Sequence, residues 1–113
     1  MVSFPHNEYC PQFQATFELL GKRWTAAILR VVFSGRARFV DIAEAVPGLS
    51  NRLLVERLND LIAAGLVIRC RSGDRGYGLT AKGRDLRGIL EEVEDWNRRW
   101  LDEPDGTLIP TTS

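Results

Sequence analysis

Apolar residues recur at helical spacing along much of this chain, and the period changes to that of a strand in one short region. The first helical stretch begins at Cys10-Pro11 and ends at Gly21, with Phe13, Phe17 and Leu20 on one side. The second runs from about Trp24 to Phe33. Too many of its positions are apolar for one narrow stripe, so we expect this helix to be the most buried one.

Two further helices follow with a very short link between them. The stretch Phe39 to Val46 has helical spacing, although Val40, at its expected start, is a poor cap. Pro47-Gly48-Leu49 is a turn signal, and a longer helix from Ser50 to Gly65 follows it. A short helix, a tight turn and a longer helix together predict a helix-turn-helix.

The helix after this turn has two unlike faces. Ser50 is a good N-cap and Gly65 a good left-handed C-cap. The apolar stripe consists of Leu54, Leu58, Leu61 and Ile62. The opposite face carries Asn51, Arg52, Val55, Glu56 and Asn59. A helix anchored on one side, with hydrogen-bonding groups free near its N-terminal end, has the build of a major-groove recognition helix, although most polar helix faces are only solvated.

The period changes to that of a strand after Gly65. Residues 66–71 read as a strand, residues 72–76 as a turn-rich tip, and residues 77–80 as the returning strand. Residues 36–39 are expected to add a brief edge strand. A hairpin directly after a helix-turn-helix is a wing, so the fold class predicted is mainly α, within α+β: a winged helix-turn-helix.

The last predicted helix begins after Thr80, its cap, and runs to about Asp102. Its stripe includes Val93, Trp96 and Trp100, and a chain of 113 residues has little other core to bury two tryptophans there. We therefore expect a homodimer, with Phe13 and Phe17 of the first helix completing the interface. The alternative is that these aromatic side chains pack back on their own domain.

The length and composition indicate one ordinary globular domain. Hydrophobic residues make up 44% and charged residues 27%. We divide the chain into an irregular N-terminal arm (1–9), the winged helix-turn-helix domain with its flanking dimerisation helices (10–102) and a flexible tail (103–113).

The net charge is zero, but it is unevenly distributed. Residues 22–75 hold ten basic and five acidic side chains, whereas both ends are acidic overall. A basic centre fits a surface that faces phosphates, although an excess of this size also arises by chance.

Several function classes lack support in the sequence. His6 is the only histidine, and Cys10 and Cys70 form neither a disulfide framework nor a metal spacing. There is no glycine-rich phosphate loop and no nucleophile–base pair, so we expect neither an enzyme nor a cofactor. There is also no signal peptide and no apolar run long enough to span a membrane, so we expect a cytoplasmic protein with no membrane partner.

Double-stranded DNA is the partner that the pattern favours. The residues expected to read base edges are Asn51, Arg52, Val55 and Glu56. Those expected to hold the phosphate backbone are Lys22, Arg36, Arg38, Ser50, Arg71 and Arg75. Arg57 is expected either to contact DNA or to turn inward as a packing or salt-bridging residue. A winged-helix module that binds protein without sequence-specific DNA binding is the alternative function.

The order and spacing of several short segments resemble the HxlR family of winged helix-turn-helix transcriptional regulators, relatives of the MarR regulators. These segments are Cys10-Pro11, residues 20–25, residues 28–30, Arg38-Phe39, residues 47–50, Leu54 with residues 56–58, residues 64–67, residues 77–80 and Gly83. The resemblance covers residues 10–97 and implies a dimer on a near-palindromic operator.

The wing is several residues shorter than the family usually shows. Val55 and Glu56 stand where relatives often carry a small polar residue and Gln. Glu56 either accepts from a cytosine amino group or only pairs with Arg52.

The resemblance also gives Cys10 a candidate role, because a subset of the family senses oxidants or quinones through an N-terminal cysteine. Cys10 lies at the expected start of a helix, where the dipole favours a thiolate. Glu8 opposes that effect. Cys10 is thus either a redox or electrophile switch or only a capping or packing residue. Cys70 is the other candidate partner, although a cysteine on a strand is more often buried and inert. The operator, the regulated genes and the sign of regulation do not follow from these patterns.

Overall fold

The computed structural model of the chain describes residues 8–35, 37–70 and 76–101. The elements are α1 (Pro11–Leu20), α2 (Thr25–Val32), β1 (Ala37–Arg38), α3 (Phe39–Ala45), α4 (Asn51–Ala63), β2 (Val67–Arg69), β3 (Gly76–Leu79) and α5 (Ala81–Leu101). The predicted fold class is confirmed, since these elements form a winged helix-turn-helix with a small antiparallel sheet. Nearly all of the predicted arm (residues 1–7), residues 71–75 of the wing and residues 102–113 lie outside the described residues.

The sheet has the strand order β1-β3-β2. β3 lies in the middle, pairing Tyr77 with Ala37 of β1 and with Arg69 of β2. The predicted edge strand before α3 therefore exists and joins the helix-turn-helix to the wing. No helix in the described ranges is both long and apolar enough to cross a lipid bilayer.

The core lies between the helices and the sheet. Its fully buried large side chains are Ile28, Leu29, Val32, Ile42, Leu54, Leu58, Leu61 and Val67. The prediction that the second helix is the most buried is confirmed, because four of its eight residues are buried. α1, in contrast, has no buried residue.

The start of α3 agrees with the predicted stretch, but its cap differs. The helix begins at Phe39, and its N-cap is Arg38 rather than Val40. The Asp41 carboxylate accepts a hydrogen bond of 3.2 Å from the Arg38 backbone N–H. This acidic residue in the first turn supplies the partner and the favourable charge that Val40 could not offer.

The other helix boundaries follow from local chemistry that the sequence shows. The Ser50 hydroxyl accepts from the Leu53 N–H at 3.1 Å and caps α4, and Gly65 after α4 has φ +78°. The Thr80 hydroxyl accepts from the Gly83 N–H at 2.9 Å and caps α5. Trp24, just before α2, has φ +78°, a conformation rare for such a residue and one that the sequence did not indicate.

Candidate nucleic-acid interface

The structure brings the four predicted base-reading residues together on one exposed face of α4. Leu54, Leu58 and Leu61 are buried and fix the other side of this helix to the core. Asn51, Arg52, Val55 and Glu56 are all exposed, in the first two turns after the Ser50 cap. This arrangement leaves donors, acceptors and one apolar side chain available to a groove, while the helix itself stays anchored.

Arg52 and Glu56 interact with each other on this face. The Arg52 Nε lies 3.5 Å from a Glu56 carboxylate oxygen, one helical turn away. Their side chains are 90% and 49% exposed, so water competes strongly and the pair contributes at most a few tenths of a kcal/mol. The pair is therefore weak enough to open when a base edge offers a better partner.

Arg57 turns away from this face and inward. Its Nε donates to the Arg23 carbonyl oxygen at 3.2 Å, and its Nη1 donates to the Asp60 carboxylate at 2.6 Å. Of the two expectations for Arg57, the inward, salt-bridging one matches the structure. Asp60 also accepts from the Lys22 ammonium at 3.2 Å.

Asp60 is a part of the site that sequence reasoning missed. Partial burial raises the pKa of its carboxyl, but the hydrogen bonds and charges of Lys22 and Arg57 outweigh that effect and hold the pKa below its usual range. The spacing of Arg57 and Asp60, three apart on one helix, was visible in the sequence. The partner Lys22, 38 positions away, was not.

The residues predicted to hold phosphates are less fully defined. Arg38 is exposed beside the start of α3, Ser50 at the start of α4 is exposed, and Lys22 carries the ion pair to Asp60. Arg36, Arg71 and Arg75 lie outside the described residues. Arg69 on β2 is an exposed cation that we had not assigned, and its guanidinium lies 5.9 Å from the centre of the Tyr77 ring.

Two apolar surfaces lie apart from the α4 face. Phe13 and Phe17 on α1 contact each other with ring centroids 4.9 Å apart, and both are exposed. On α5, four exposed apolar side chains lie within about 60° of one another around the helix axis; they are Ile89, Val93, Trp96 and Trp100. All the predicted dimer-interface residues are therefore solvent-exposed in the single chain.

The two cysteines are both free and half-buried. Cys10 is the N-cap of α1, with Pro11 as its first residue, and its thiol contacts the Gln12 side-chain oxygen at 3.5 Å. Cys70 follows β2, where its N–H donates to the Gly76 carbonyl at 2.7 Å. Within the described ranges, no three His, Cys, Asp or Glu side chains converge as a metal site.

The comparison with known proteins agrees with this geometry. The profile of the HxlR-like helix-turn-helix family matches residues 19–105, well over half of the chain. The chain belongs to this family. Its relatives are helix-turn-helix transcriptional regulators, so this HxlR-family chain is a DNA-binding transcription regulator and not an enzyme.

Two relatives from Bacillus subtilis show the extent of the likeness. The chain is 39% identical to the HTH-type transcriptional regulator YvaP over 100 residues, covering 85% of this chain and 93% of YvaP. It is 35% identical to the HTH-type transcriptional regulator YodB over 106 residues, covering 90% of this chain and 94% of YodB.

Solved structures support the winged-helix fold. The quinone-bound form of YodB superposes with a TM-score of 0.74 at 36% identity, covering 80% of this chain and 99% of that one. The redox regulator HypR in its reduced form gives a TM-score of 0.73 at 25% identity, covering 80% of this chain and 94% of that one. Regulators with redox or quinone chemistry are thus among the structural neighbours of this HxlR-family protein.

Proposed function

We propose that this regulator acts in the cytoplasm as a homodimer on a near-palindromic operator, with α4 of each protomer in a major groove. The observation that carries the proposal is the face of α4 described above, which is exposed and mostly polar in its first two turns, on a helix whose other side is buried. The N-terminal residues of such a helix contact base edges, and its packing against the core fixes how far it enters the groove.

Each base-reading side chain has a matching base chemistry. Arg52 is suited to guanine O6 and N7, and Asn51 to adenine N6 and N7. Val55 offers an apolar contact for a thymine methyl group, and Glu56 either accepts from a cytosine amino group or keeps Arg52 in place. Sequence discrimination would thus come from one helix face.

The phosphate contacts would come from cations around that face. Arg38 is exposed at the start of α3, and the Lys22 ammonium lies 3.2 Å from Asp60 of α4. The exposed Ser50 at the start of α4 would add a neutral hydrogen-bonding group. We assign the same role to Arg36, Arg71 and Arg75, which fall outside the described residues. These contacts set the register of the protein on the duplex and carry no sequence information themselves.

The dimer would form through α1 and α5. A single chain leaves the aromatic pair on α1 and the tryptophan stripe on α5 exposed to water, and an exposed apolar surface of this kind marks an interaction site. A two-fold axis between the long helices would place two copies of α4 about 34–36 Å apart, one turn of DNA.

Regulation through Cys10 is the finer part of the proposal. Its thiol sits half-buried at the N-terminus of α1, one turn from Phe13. Reaction with an oxidant or a small electrophile there would alter the helix that we place in the dimer interface. The quinone-bound form of the relative YodB supports this chemistry as a hypothesis for this chain.

Selection of duplexes from a random-sequence library tests the DNA-binding proposal. We expect an enriched, near-palindromic sequence, and binding to it should weaken steeply with salt because bound phosphates release counterions. If no sequence is enriched and binding stays insensitive to salt, the protein-binding alternative replaces this proposal.

A Cys10→Ser variant tests the switch. We expect the parent to release the selected duplex after diamide or quinone treatment and the variant to remain bound. Cys70→Ser is the matched control and should respond as the parent does. A variant without Cys10 that still releases DNA would exclude Cys10 as the sensor, and an unresponsive parent would exclude the switch altogether.

A further inference from the structure

The loop between α1 and α2, residues 21–24, contacts α4 through residues outside its base-reading set, Arg57 and Asp60; we name this loop the connector. The Lys22 ammonium lies 3.2 Å from the Asp60 carboxylate, and the Arg23 carbonyl accepts from Arg57 at 3.2 Å. The Trp24 ring packs beside Gly48, where a Cβ atom would lie 3.5 Å from Cη2. One short loop thus contacts both the middle of α4 and the turn before it.

Two basic side chains, one from the connector and one from α4 itself, donate to the same carboxylate oxygen. Asp60 Oδ2 accepts from Arg57 Nη1 at 2.6 Å and from Lys22 Nζ at 3.2 Å. The Arg57 side chain is only 17% exposed, and its hydrogen bond to Asp60 is partly buried, whereas the bonds that Lys22 and the Arg23 carbonyl make to α4 are exposed. Charge-assisted hydrogen bonds are directional as well as strong.

Directional contacts matter here because apolar packing alone does not fix the rotation of a helix about its own axis. Leu54, Leu58 and Leu61 fix how close α4 lies to the core, but apolar contacts have no preferred direction. A roll of α4 by about 20° around its own axis would move its side-chain ends by roughly 2 Å, since a helix with side chains has a radius of about 5–6 Å. Such a shift breaks a hydrogen bond to a base edge.

We propose that Asp60 is a positioning residue for operator recognition, which with Arg57 fixes the roll of α4 against the connector. This inference rests on the proposed function, in which α4 reads the operator. Asp60 itself touches no DNA, and it acts through the orientation of Asn51, Arg52 and their neighbours. Loss of its charge lowers sequence discrimination more than it lowers binding to any duplex.

The test compares the affinity for the best duplex selected by the parent with that for a scrambled duplex of equal length. Asp60→Asn keeps the shape and removes the charge, and we expect the ratio of the two affinities to fall about tenfold, comparable to one mismatched base pair. Asp60→Glu keeps the charge and should restore most of the ratio. Arg57→Lys keeps a charge for Asp60 but cannot also reach the Arg23 carbonyl, so it should give an intermediate ratio.

The control is Asp95→Asn, which removes an Arg–Asp pair of the same spacing from the exposed face of α5. All variants are measured well below their thermal midpoints, recorded by circular dichroism. If Asp60→Asn is less stable but keeps the parent ratio, its role is only structural and the inference is wrong. If the parent itself binds both duplexes alike, the proposed function fails and this inference with it.

Discussion

At the scale of single residues, the α4 face separates side chains that are free from side chains that are already engaged. Arg52 is almost fully exposed and makes one weak ion pair, whereas Arg57, five positions on, is held by two hydrogen bonds, of which the one to Asp60 is partly buried. Both residues are arginines on the same helix, and the sequence pattern left open whether Arg57 contacts DNA or turns inward. Their different directions from the helix axis decide which one is available to DNA.

Replacing Arg52 by Ala should cost about 1–3 kcal/mol on the selected operator and relax specificity at one base position, because a bidentate contact to guanine is lost. Replacing Arg38 by Ala is the comparison, and it should weaken all duplexes alike and flatten the salt dependence by about one charge. Competition binding against single-base operator variants measures both. If the Arg52 and Arg38 variants both lose the same affinity for every duplex, Arg52 does not read a base.

Asp60 makes stability depend on acid pH with a definite sign. Its folded-state pKa lies below the unfolded value of about 3.9, so its ion pairs stabilise the fold above that pH and lose this effect as pH falls through the lower, folded value. We therefore expect the parent to exceed Asp60→Asn in stability by on the order of 1 kcal/mol near neutral pH. The difference should shrink as the pH falls below the unfolded value. Urea unfolding of both proteins from pH 2 to 7 measures it, and a difference independent of pH would contradict the charge assignment.

At the scale of elements, the start of α5 is bound tightly to the end of α4. The Thr80 hydroxyl donates to the Gly65 carbonyl at 2.6 Å, and the Lys82 ammonium donates to the Ala64 carbonyl at 2.7 Å. Gly83 lies so close that a Cβ atom there would be 2.1 Å from the Leu66 carbonyl oxygen. Only glycine allows this approach, so the position of α5 relative to α4 depends on it.

The same substitution at two glycines of α5 should have opposite effects. Gly83→Ala should destabilise the fold by about 1–3 kcal/mol, because backbone atoms must move to admit the methyl group. Gly88→Ala meets nothing within 4 Å and should stabilise the fold by up to about 1 kcal/mol through helix propensity. Thermal unfolding of the two variants provides the measurement. A Gly83→Ala protein as stable as the parent would mean that α5 can shift freely on α4.

The elements themselves followed from the sequence because their signals are local. The Ser50 and Thr80 caps, the left-handed Gly65 and the apolar stripe of α4 are all fixed by neighbours within four residues. The cap of α3 was not predicted, because it depends on the Asp41 carboxylate, which accepts a hydrogen bond from the Arg38 backbone N–H. The Lys22–Asp60 pair joins residues 38 apart, and the positive φ of Trp24 depends on tertiary packing. Neither the ion pair nor the Trp24 conformation can be predicted from neighbouring residues alone.

At the scale of the whole molecule, the polar and apolar surfaces are segregated. The base-reading face of α4 is polar except for Val55, whereas the exposed aromatic side chains of α1 and α5 form apolar patches elsewhere. One chain therefore has a surface suited to DNA and another suited to a second copy. This division agrees with the proposed dimer.

A charge placed in the tryptophan stripe should separate the dimer. Trp100→Glu buries a carboxylate in the proposed interface, so we expect a monomer mass by light scattering at micromolar concentration and weaker operator binding. Arg98→Gln changes the net charge by the same amount on the far side of α5 and should remain dimeric. A parent that is already monomeric would end the dimer proposal.

The contact between the start of α5 and the end of α4, which we name the joint, affects DNA recognition if the two helices move as one body. α5 is 21 residues long and so reaches about 30 Å from the joint, whereas the first turn of α4 lies about 20 Å from it. A sideways displacement of about 3 Å at Trp100 tilts this rigid unit by roughly 6° and swings Asn51 by about 2 Å. Hydrogen bonds to bases tolerate only a few tenths of an ångström. A small displacement of one protomer relative to the other would then be enough to break the hydrogen bonds between α4 and the bases of the operator.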